Sequence, residues 1–559
     1  MLKYYFCKPM DYELLNKLPV WCKNEGIDFA ILCGGSRSAP LTLSLSGYDQ
    51  IQCIAASDER SAGFIALGIA KATQKPVIIV TTSGSAVANL YPAVVEAFYQ
   101  NIPLLIFTAD REPNATEYFD GQAIQQEYIF GKHVKGFFQM SINISDPAIF
   151  HYNIHEAFKI LAADKPGPLH INFPFKEPFY PKHYPFIYDS VEQTQNKKVL
   201  KPSHTLDIER QAHLKNIWNN TQKKLIICGF DSGKYYSSEQ VNQFAKHHQI
   251  PIIADITSNI NTDLVHSDLL IRNIYDTNLF APDLIITIGG NYTSKVLKNY
   301  IHTANVPHHW HISHFAVGLD FFGVPTENRI TNEFLDKDSF DLNTEQHNYY
   351  NTWQNHNKKG IETFEKFIES ISFHELSAVK TIIDNIPSGS VLHLANSMAV
   401  RWANIIGNNN NLDIYCNRGT SGIDGCTSTA IGMAIAQPDK HHYLITGDMA
   451  FQYDNNALFN NDVPDNLTIL ILNNHGGNIF KLIDGPTDNM PIEKYFTNKH
   501  GLTFEYLAKH FEIDYVRLIN ISEINTFFSR NFKKIYVAEI IFSTENYITI
   551  FDQYKNLKF

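Results

Sequence analysis

The chain has 559 residues, 44% of them hydrophobic and 18% charged, a composition of globular domains rather than of a disordered or fibrous chain. That length makes about three domains. A net charge of -11, with no basic tail or aromatic-basic stripe to offset it, argues against nucleic acid as a partner but leaves room for arginines in a cleft to receive anionic substrates. No apolar run approaches the roughly 18 residues that cross a bilayer, and "MLKYYFCKPMDYELL" lacks the basic, apolar and small-residue succession of a signal peptide, so a cytoplasmic protein without a membrane span is expected. The 7 cysteines show no CxxC pair or Cys/His ladder and are expected to be reduced and mostly buried.

From about residue 27 to 175, "IDFAILCG", "KPVIIVTTSG" and "IPLLIFTADR" read as strands and "AVANLYPAVVEAFYQ" as a helix, the βαβ grammar of a helix-covered parallel sheet. The stretch 176–204, rich in proline and tyrosine and carrying "EQTQNKK", loses that periodicity and reads as a linker. "KKLIICGFDSG", "PIIADITS" and "APDLIITIGGNYTSKVLKNY" start a second open α/β sheet that runs to about 345. The histidines of "IHTANVPHHWHISHF" (His302, His308, His309, His311, His314) lack an acidic or cysteine partner at ligand spacing; His309 and His311 fit one face of a strand, and a structural role is expected. Polar "NTEQHNYYNTWQNHNKKG" reads as a separator before a third unit holding "GSVLHLANS", "HHYLITGDMA", "NLTILILNNHGG" and "KKIYVAEIIF". The expected fold is therefore α/β, with three open parallel-sheet domains over 1–185, 200–350 and 365–559, and functional residues at the carboxyl ends of the strands.

Two such ends stand out in the third unit. One strand delivers Gly447 and Asp448, the next Asn473 and Asn474 followed by "HGG". Carboxyl ends of parallel strands share one edge, so Asp448, the Asn474 amide oxygen and the Gly476 carbonyl can make an oxygen-only set suited to octahedral Mg²⁺ completed by phosphate and water. Two strand ends capped by Asp448 and Asn474 are an equally ordinary reading of this spacing. In "AASDERSAGFIALGIA", Glu59 stands at the start of a small-residue helix, where a carboxylate favours the helix dipole, and Asp58 and Arg60 read as structural. Ser36, Arg37, Arg111, Gln122, Lys295, Arg401 and Arg418 are candidate anion ligands, each of which alone reads as well as a surface charge or salt bridge.

In combination, "GGSRSAP", "DERSAGFIALGIA", "TTSGSAVANLYPAVVEA", "TADR", "NRGTSGIDG" and "NNHGGNIF" resemble the thiamin-diphosphate-dependent enzymes, and within them the menaquinone-pathway synthases, over about 35 to 485. The resemblance implies a pyrimidine-binding, a central and a diphosphate-binding domain, in that order. It implies thiamin diphosphate and Mg²⁺ (or Mn²⁺) as cofactors, held by Asp448, Asn474 and Gly476, with Asn396 and Ser397 near the diphosphate. Ile423 between Gly422 and Gly425 would wedge the coenzyme into its bent form. Glu59 would hydrogen-bond the pyrimidine N1′, its carboxyl pKa raised by desolvation from Ala62, Phe64 and Ile65. The implied reaction is decarboxylation of 2-oxoglutarate and addition of the succinyl unit to isochorismate. Arg37, Arg111, Gln122 and Lys295 would receive isochorismate, Arg401 and Arg418 the carboxylates of the donor or its adduct, while Ile479 and Phe480 line the apolar side of the donor pocket. The implied active unit is a homodimer, or a homotetramer built from it, with Glu59 of one subunit facing Asp448 of another. The chain departs from the pattern in "GDM", where many relatives have GDG or GDS, and in Gly121, where Asn is common. An acetolactate-synthase-type decarboxylase or carboligase, and a non-catalytic cofactor-binding subunit, are the alternative readings.

Overall fold

Short runs of β-branched and aliphatic residues, buried on both faces, set the architecture. Val77–Thr81, Lys224–Cys228, Leu284–Ile288 and Leu467–Asn473 are buried at every position, as parallel strands between helical layers must be. The structure is a computed structural model and describes residues 10–117, 120–163, 165–182, 188, 208–312, 328–330, 344–407, 411–482, 491–543 and 547–559. The first sheet holds β1 (Phe29–Leu32), β2 (Gln52–Ala55), β3 (Val77–Thr81), β4 (Leu104–Asp110), β5 (Phe137–Gln139) and β6 (Leu169–Pro174). The second holds β7 (Lys224–Cys228), β8 (Ile252–Ala254), β9 (Leu284–Ile288), β10 (His308–Ile312) and β11 (Asn328–Ile330). The third holds β12 (Val391–Leu394), β13 (Asp413–Tyr415), β14 (His442–Gly447), β15 (Leu467–Asn473), β16 (Asp514–Leu518) and β17 (Tyr536–Ile541).

Every pairing between these strands is parallel, in the orders β2-β1-β3-β4-β6-β5, β11-β10-β9-β7-β8 and β13-β12-β14-β15-β17-β16. The first and third sheets thus have one and the same topology. In each, the chain leaves the first-formed strand in one direction and returns on its other side, creating a reversal of strand order between β1 and β3 and between β12 and β14. Crevices at such reversals are where open α/β sheets bind ligands.

The first and third units pack through two glycine-bearing helices, Glu59–Thr73 and Cys426–Ala436. A Cβ on Gly68 would stand 2.2 Å from Thr429 O, and one on Gly432 2.1 Å from Ile65 O, so the backbones touch and only glycine fits at either position. Beside the crossing, buried Lys71 donates to Gln100 Oε1 at 2.8 Å and Cys416 O at 3.5 Å and lies 3.9 Å from Asp231, joining all three units. Buried Glu96 accepts from the Gly419 and Thr420 N–H groups at 2.8 and 2.6 Å and from the Thr420 hydroxyl at 2.6 Å, so a carboxylate of the first unit holds a loop of the third.

Two expectations are corrected. The polar separator at 343–360 belongs to a 27-residue helix, Thr344–Ser370, whose buried Tyr349, Trp353, Phe364 and Phe367 form one stripe under a polar surface. The polar residues outnumber that stripe, which hides a 3.6-residue period in a stretch that reads as loop. The helix expected over 86–100 is two, Ser85–Asn89 and Tyr91–Gln100, interrupted beside Pro92, which has no N–H to give. Most of the expected linker at 176–204, and His314, lie outside the described residues. His309 and His311 share a face of β10 and both meet the Thr287 hydroxyl at 2.9 Å. Among the described residues the six cysteines are free, five of them buried, and no helix is long and apolar enough to cross a membrane.

Candidate active site

Four loops leave the carboxyl edge of the first sheet with polar residues. After β1, a Cβ on Gly35 would lie 2.4 Å from Thr82 Cβ, so the "GGSR" loop rests on the loop after β3, at the reversal of strand order. That places Ser36 in solvent and Arg37 inside. The Arg37 guanidinium donates to Phe175 O, lies 4.7 Å over the Phe179 ring, and is pushed below its usual range by burial and by neighbouring Arg111. Arg111, following β4, pairs with Asp120 at 2.8 Å. Gln122, held at φ +61°, approaches Gly84 so closely that a Cβ there would meet its Cα at 3.2 Å. Gly121 is exposed, with open space where a side chain would be. After β2, Asp58 caps the helix Glu59–Thr73 by accepting from the Arg60 and Ser61 N–H groups at 2.9 and 3.3 Å. Arg60 donates to Tyr453 O at 2.7 Å and stacks 4.6 Å over the Tyr453 ring, which bears out a structural role for both. Glu59 is half-buried and accepts from Asn89 Nδ2 at 3.3 Å. Ala62, Phe64 and Ile65 are all buried in the core, with Phe64 against Gly425. Phe64 and Ile65, five and six positions further along the helix, face away from residue 59, whereas Ala62, three positions on, shares its side of the helix.

The third sheet presents a different set. Gly447 pairs with Leu472, so Asp448 and Asn474 leave neighbouring strands side by side. Asp448 is buried and accepts from the Gly476 N–H at 2.9 Å through Oδ2 and from the Met449 N–H at 2.6 Å through Oδ1. Met449 therefore serves through its backbone, and a hydroxyl at that position is dispensable for this contact. His500 Nε2 lies 3.3 Å from Asp448 Oδ2, which holds its imidazole above the usual range. Gly476 takes φ +143°, and a Cβ on it would stand 2.7 Å from Thr497 O. Asn473 is structural, donating to Leu502 O at 2.9 Å and Glu539 Oε1 at 2.5 Å. At the reversal, buried Asn396 donates to Asn417 O and Gly422 O at 2.6 and 2.7 Å and accepts from Arg418 Nη1 at 3.1 Å, bracing the loop 417–422. Ser397, Ser421 and His475 all sit at positive φ around this edge, strain of the kind that persists where packing over-determines a site. Ile423 is 36% exposed, an aliphatic side chain presented to the mouth instead of the core.

Lys295 begins the helix Lys295–Thr303 in the central unit, and lines a cavity of about 620 Å³ with Arg401, Ile479, Met398 and Leu482 of the third. Arg401 is pushed down by burial and by Arg418, and Lys298 by burial, then by Arg418 and Lys295. Lys295 and Arg401 thus share one cavity with Asp268, while Arg418 lies near enough to Arg401 and Lys298 to act on both, a local field that favours anions. Phe480 packs on Phe496, with ring centroids 5.6 Å apart.

The expected residues thus gather into two groups within one chain. Ser36, Arg37, Arg111, Gln122 and Glu59 edge the first sheet, whereas Lys295, Arg401, Arg418, Ile423, Ile479 and the Asp448 set edge the third. Lys295 joins the second group, away from the arginines with which it is grouped in the sequence. The sequence reading passes over Lys298, Glu96 and Glu375. Lys298 carries a signal, three positions beyond Lys295 on the same helix face. Glu96, a charge inside the apolar "AVVEAF", carries a weaker one. Glu375 carries none, because its partners Trp402 and Asn474 are distant in the chain.

The oxygen-donor chemistry of Asp448, Asn474 and Gly476 fits a hard divalent cation and a diphosphate. Comparison with known proteins points to thiamine pyrophosphate as the coenzyme. Residues 18–135 match the thiamine pyrophosphate enzyme N-terminal binding domain, and residues 193–394 the middle domain of these enzymes. A 2-succinyl-5-enolpyruvyl-6-hydroxy-3-cyclohexene-1-carboxylate synthase of Cytophaga hutchinsonii is 37% identical, over 92% of this chain and 92% of its own. The proteins of that name from Flavobacterium psychrophilum and Bacteroides thetaiotaomicron are 34% and 32% identical, over 96% and 92% of this chain and 97% and 92% of their own. The fold, the two matched domains and these relatives define a thiamine pyrophosphate enzyme. Within that class, the chain belongs to the 2-succinyl-5-enolpyruvyl-6-hydroxy-3-cyclohexene-1-carboxylate synthase family.

Proposed function

We propose that the protein decarboxylates 2-oxoglutarate and adds the succinyl unit to isochorismate, with thiamin diphosphate and Mg²⁺ (or Mn²⁺), in menaquinone biosynthesis. The observation that carries this reading beyond the family is the cavity that Lys295 and Arg401 line with apolar Ile479, with Arg418 close to Arg401, which suits a dicarboxylate donor better than pyruvate. When bound, thiamin diphosphate supplies the thiazolium that takes up the electrons released by decarboxylation. The chain's own residues do the rest. Asp448, Asn474 and Gly476 would hold the metal and, through it, the diphosphate. Ile423 would press the coenzyme from below. Glu59 would hold a proton at the pyrimidine N1′ and pass it on as that ring changes tautomer, the ordinary work of a positioned general acid. Arg401 and Arg418 would grip carboxylates of the donor or its adduct, and Arg37, Arg111, Gln122 and Lys295 the acceptor. Because the two groups edge different sheets, a two-fold homodimer that apposes the first edge of one subunit to the third edge of another completes the site.

Purified protein supplied with both acids and both cofactors should release CO₂ and form the succinyl adduct. Turnover of pyruvate far ahead of 2-oxoglutarate would instead assign it to the acetolactate-synthase type, and coenzyme binding without turnover of any 2-oxo acid would mark a non-catalytic subunit.

A further inference from the structure

Glu375 is a carboxylate with no solvent, 1% exposed, at the first position of the helix Glu375–Asn385. Burying a charge is costly unless each lone pair finds a donor. Here each oxygen has one: Trp402 Nε1 donates to Oε2 at 2.6 Å, and Asn474 Nδ2 donates to Oε1. The consequence lies in the Asn474 amide, which has one donor end and one acceptor end. A carboxylate with both oxygens receiving N–H groups only accepts, so the amide must turn its NH₂ toward Glu375 and its oxygen the other way. The far side agrees: Asn478 Nδ2 donates to Asn474 Oδ1 at 2.9 Å and to Asn474 O at 2.8 Å. Trp402 is wholly buried, with the His374 ring edge-on to it at 5.4 Å, so the chain of polarity starts from a fixed indole.

We propose that Glu375 is a positioning residue that sets the polarity of the Asn474 amide, presenting Oδ1 and not the NH₂ group to the divalent cation. The inference rests on the reading of Asn474 as a metal ligand. Without Glu375 the amide could face either way, and its NH₂ end cannot ligate a cation. The buried negative charge behind the amide also makes Oδ1 a stronger donor, as carboxylates behind metal ligands do.

Charge-conserving exchange of the two residues tests it on the full chain, with Mn²⁺ as the probe, titrated in the presence of thiamin diphosphate and followed by electron paramagnetic resonance. In Glu375→Gln, the introduced amide oxygen is needed by the Trp402 N–H, so the introduced NH₂ faces Asn474 and turns that amide over. Mn²⁺ affinity should fall about 10- to 100-fold. Asn474→Asp alone sets two carboxylates face to face and should lower the melting temperature of the metal-free protein. The double variant, Glu375→Gln with Asn474→Asp, restores a donor-acceptor pair, the introduced amide now donating to the introduced carboxylate, and should recover both the melting temperature and most of the Mn²⁺ affinity. Glu375→Gln binding Mn²⁺ like the unaltered chain, or a double variant worse than both single ones, would overturn the proposal. If Glu375→Gln does not fold, recovery of Asn474→Asp by the second change still decides. Absence of Mn²⁺ binding by the unaltered protein would overturn the metal reading and, with it, this one.

Discussion

The first and third sheets share one strand order and differ in what they carry at the same places. After the first-formed strand the first sheet has Ser36 and Arg37 and the third has Asn396 and Ser397; after the next, Glu59 against Arg418. After the central pair the first has the Ser83–Gly84 turn and Arg111, the third Asp448 and Asn474. Topology fixes where side chains surface, and loop sequence alone decides that one edge carries Arg37, Arg111 and Glu59 while the other carries Asp448, Asn474 and Arg418.

That division of labour can be broken edge by edge. The largest effect is expected at Glu59. Glu59→Gln keeps shape and polarity but removes the transferable proton, and turnover should fall about 10²- to 10⁴-fold with coenzyme affinity nearly unchanged. Hydrogen-deuterium exchange at the thiazolium carbon of the bound coenzyme measures this directly, and exchange as fast as in the unaltered protein would remove Glu59 from the role. Asp448→Ala strikes the other edge and should weaken Mg²⁺ binding by about 100-fold or more, since it removes a ligand and not merely a supporting contact. Unchanged metal dependence would mean that the third edge holds its ligand some other way. Arg111→Ala should raise KM for the acceptor about ten- to a hundredfold, the loss of a charged hydrogen bond, and leave the donor half-reaction alone. A matching rise in KM for 2-oxoglutarate would show that the two edges do not divide the substrates. The smallest effect concerns what joins the sheets. Gly432→Val forces a side chain onto Ile65 O and should cost about 1–3 kcal/mol of stability in denaturant titration, and a neutral result would show that the helices can part.

Much of this comparison is legible in the sequence where it depends on short-range pattern. The apolar runs of β3, β9 and β15 announce buried parallel strands, and "GD", "NN" and "DERSAG" mark the edges. What escapes depends on contacts between distant residues or on a minority signal. The stripe of Tyr349, Trp353, Phe364 and Phe367 is diluted by asparagine and lysine, so a helix passes for a separator. Phe64 and Ile65 look like surroundings of Glu59 because they are near it in the chain, whereas helical geometry turns them to the other side. That Lys295 and Arg401 line one cavity is set by how two domains dock, about which no local motif speaks.

Glu96 bears on how modular such a protein is. Three sheets with separate strand orders invite the picture of interchangeable parts that could be recombined with those of a relative. Yet the backbone N–H groups of Gly419 and Thr420, in the loop that carries Arg418 and Ile423, find their acceptor in a carboxylate more than 300 positions earlier, on a helix of another unit. A chimera that took its third unit from this chain and its first from elsewhere would keep Asp448 and Asn474 in place, because their own sheet holds them, and would inherit the loop without its anchor. Interchange is confined to pairs of units that bring the anchoring carboxylate along.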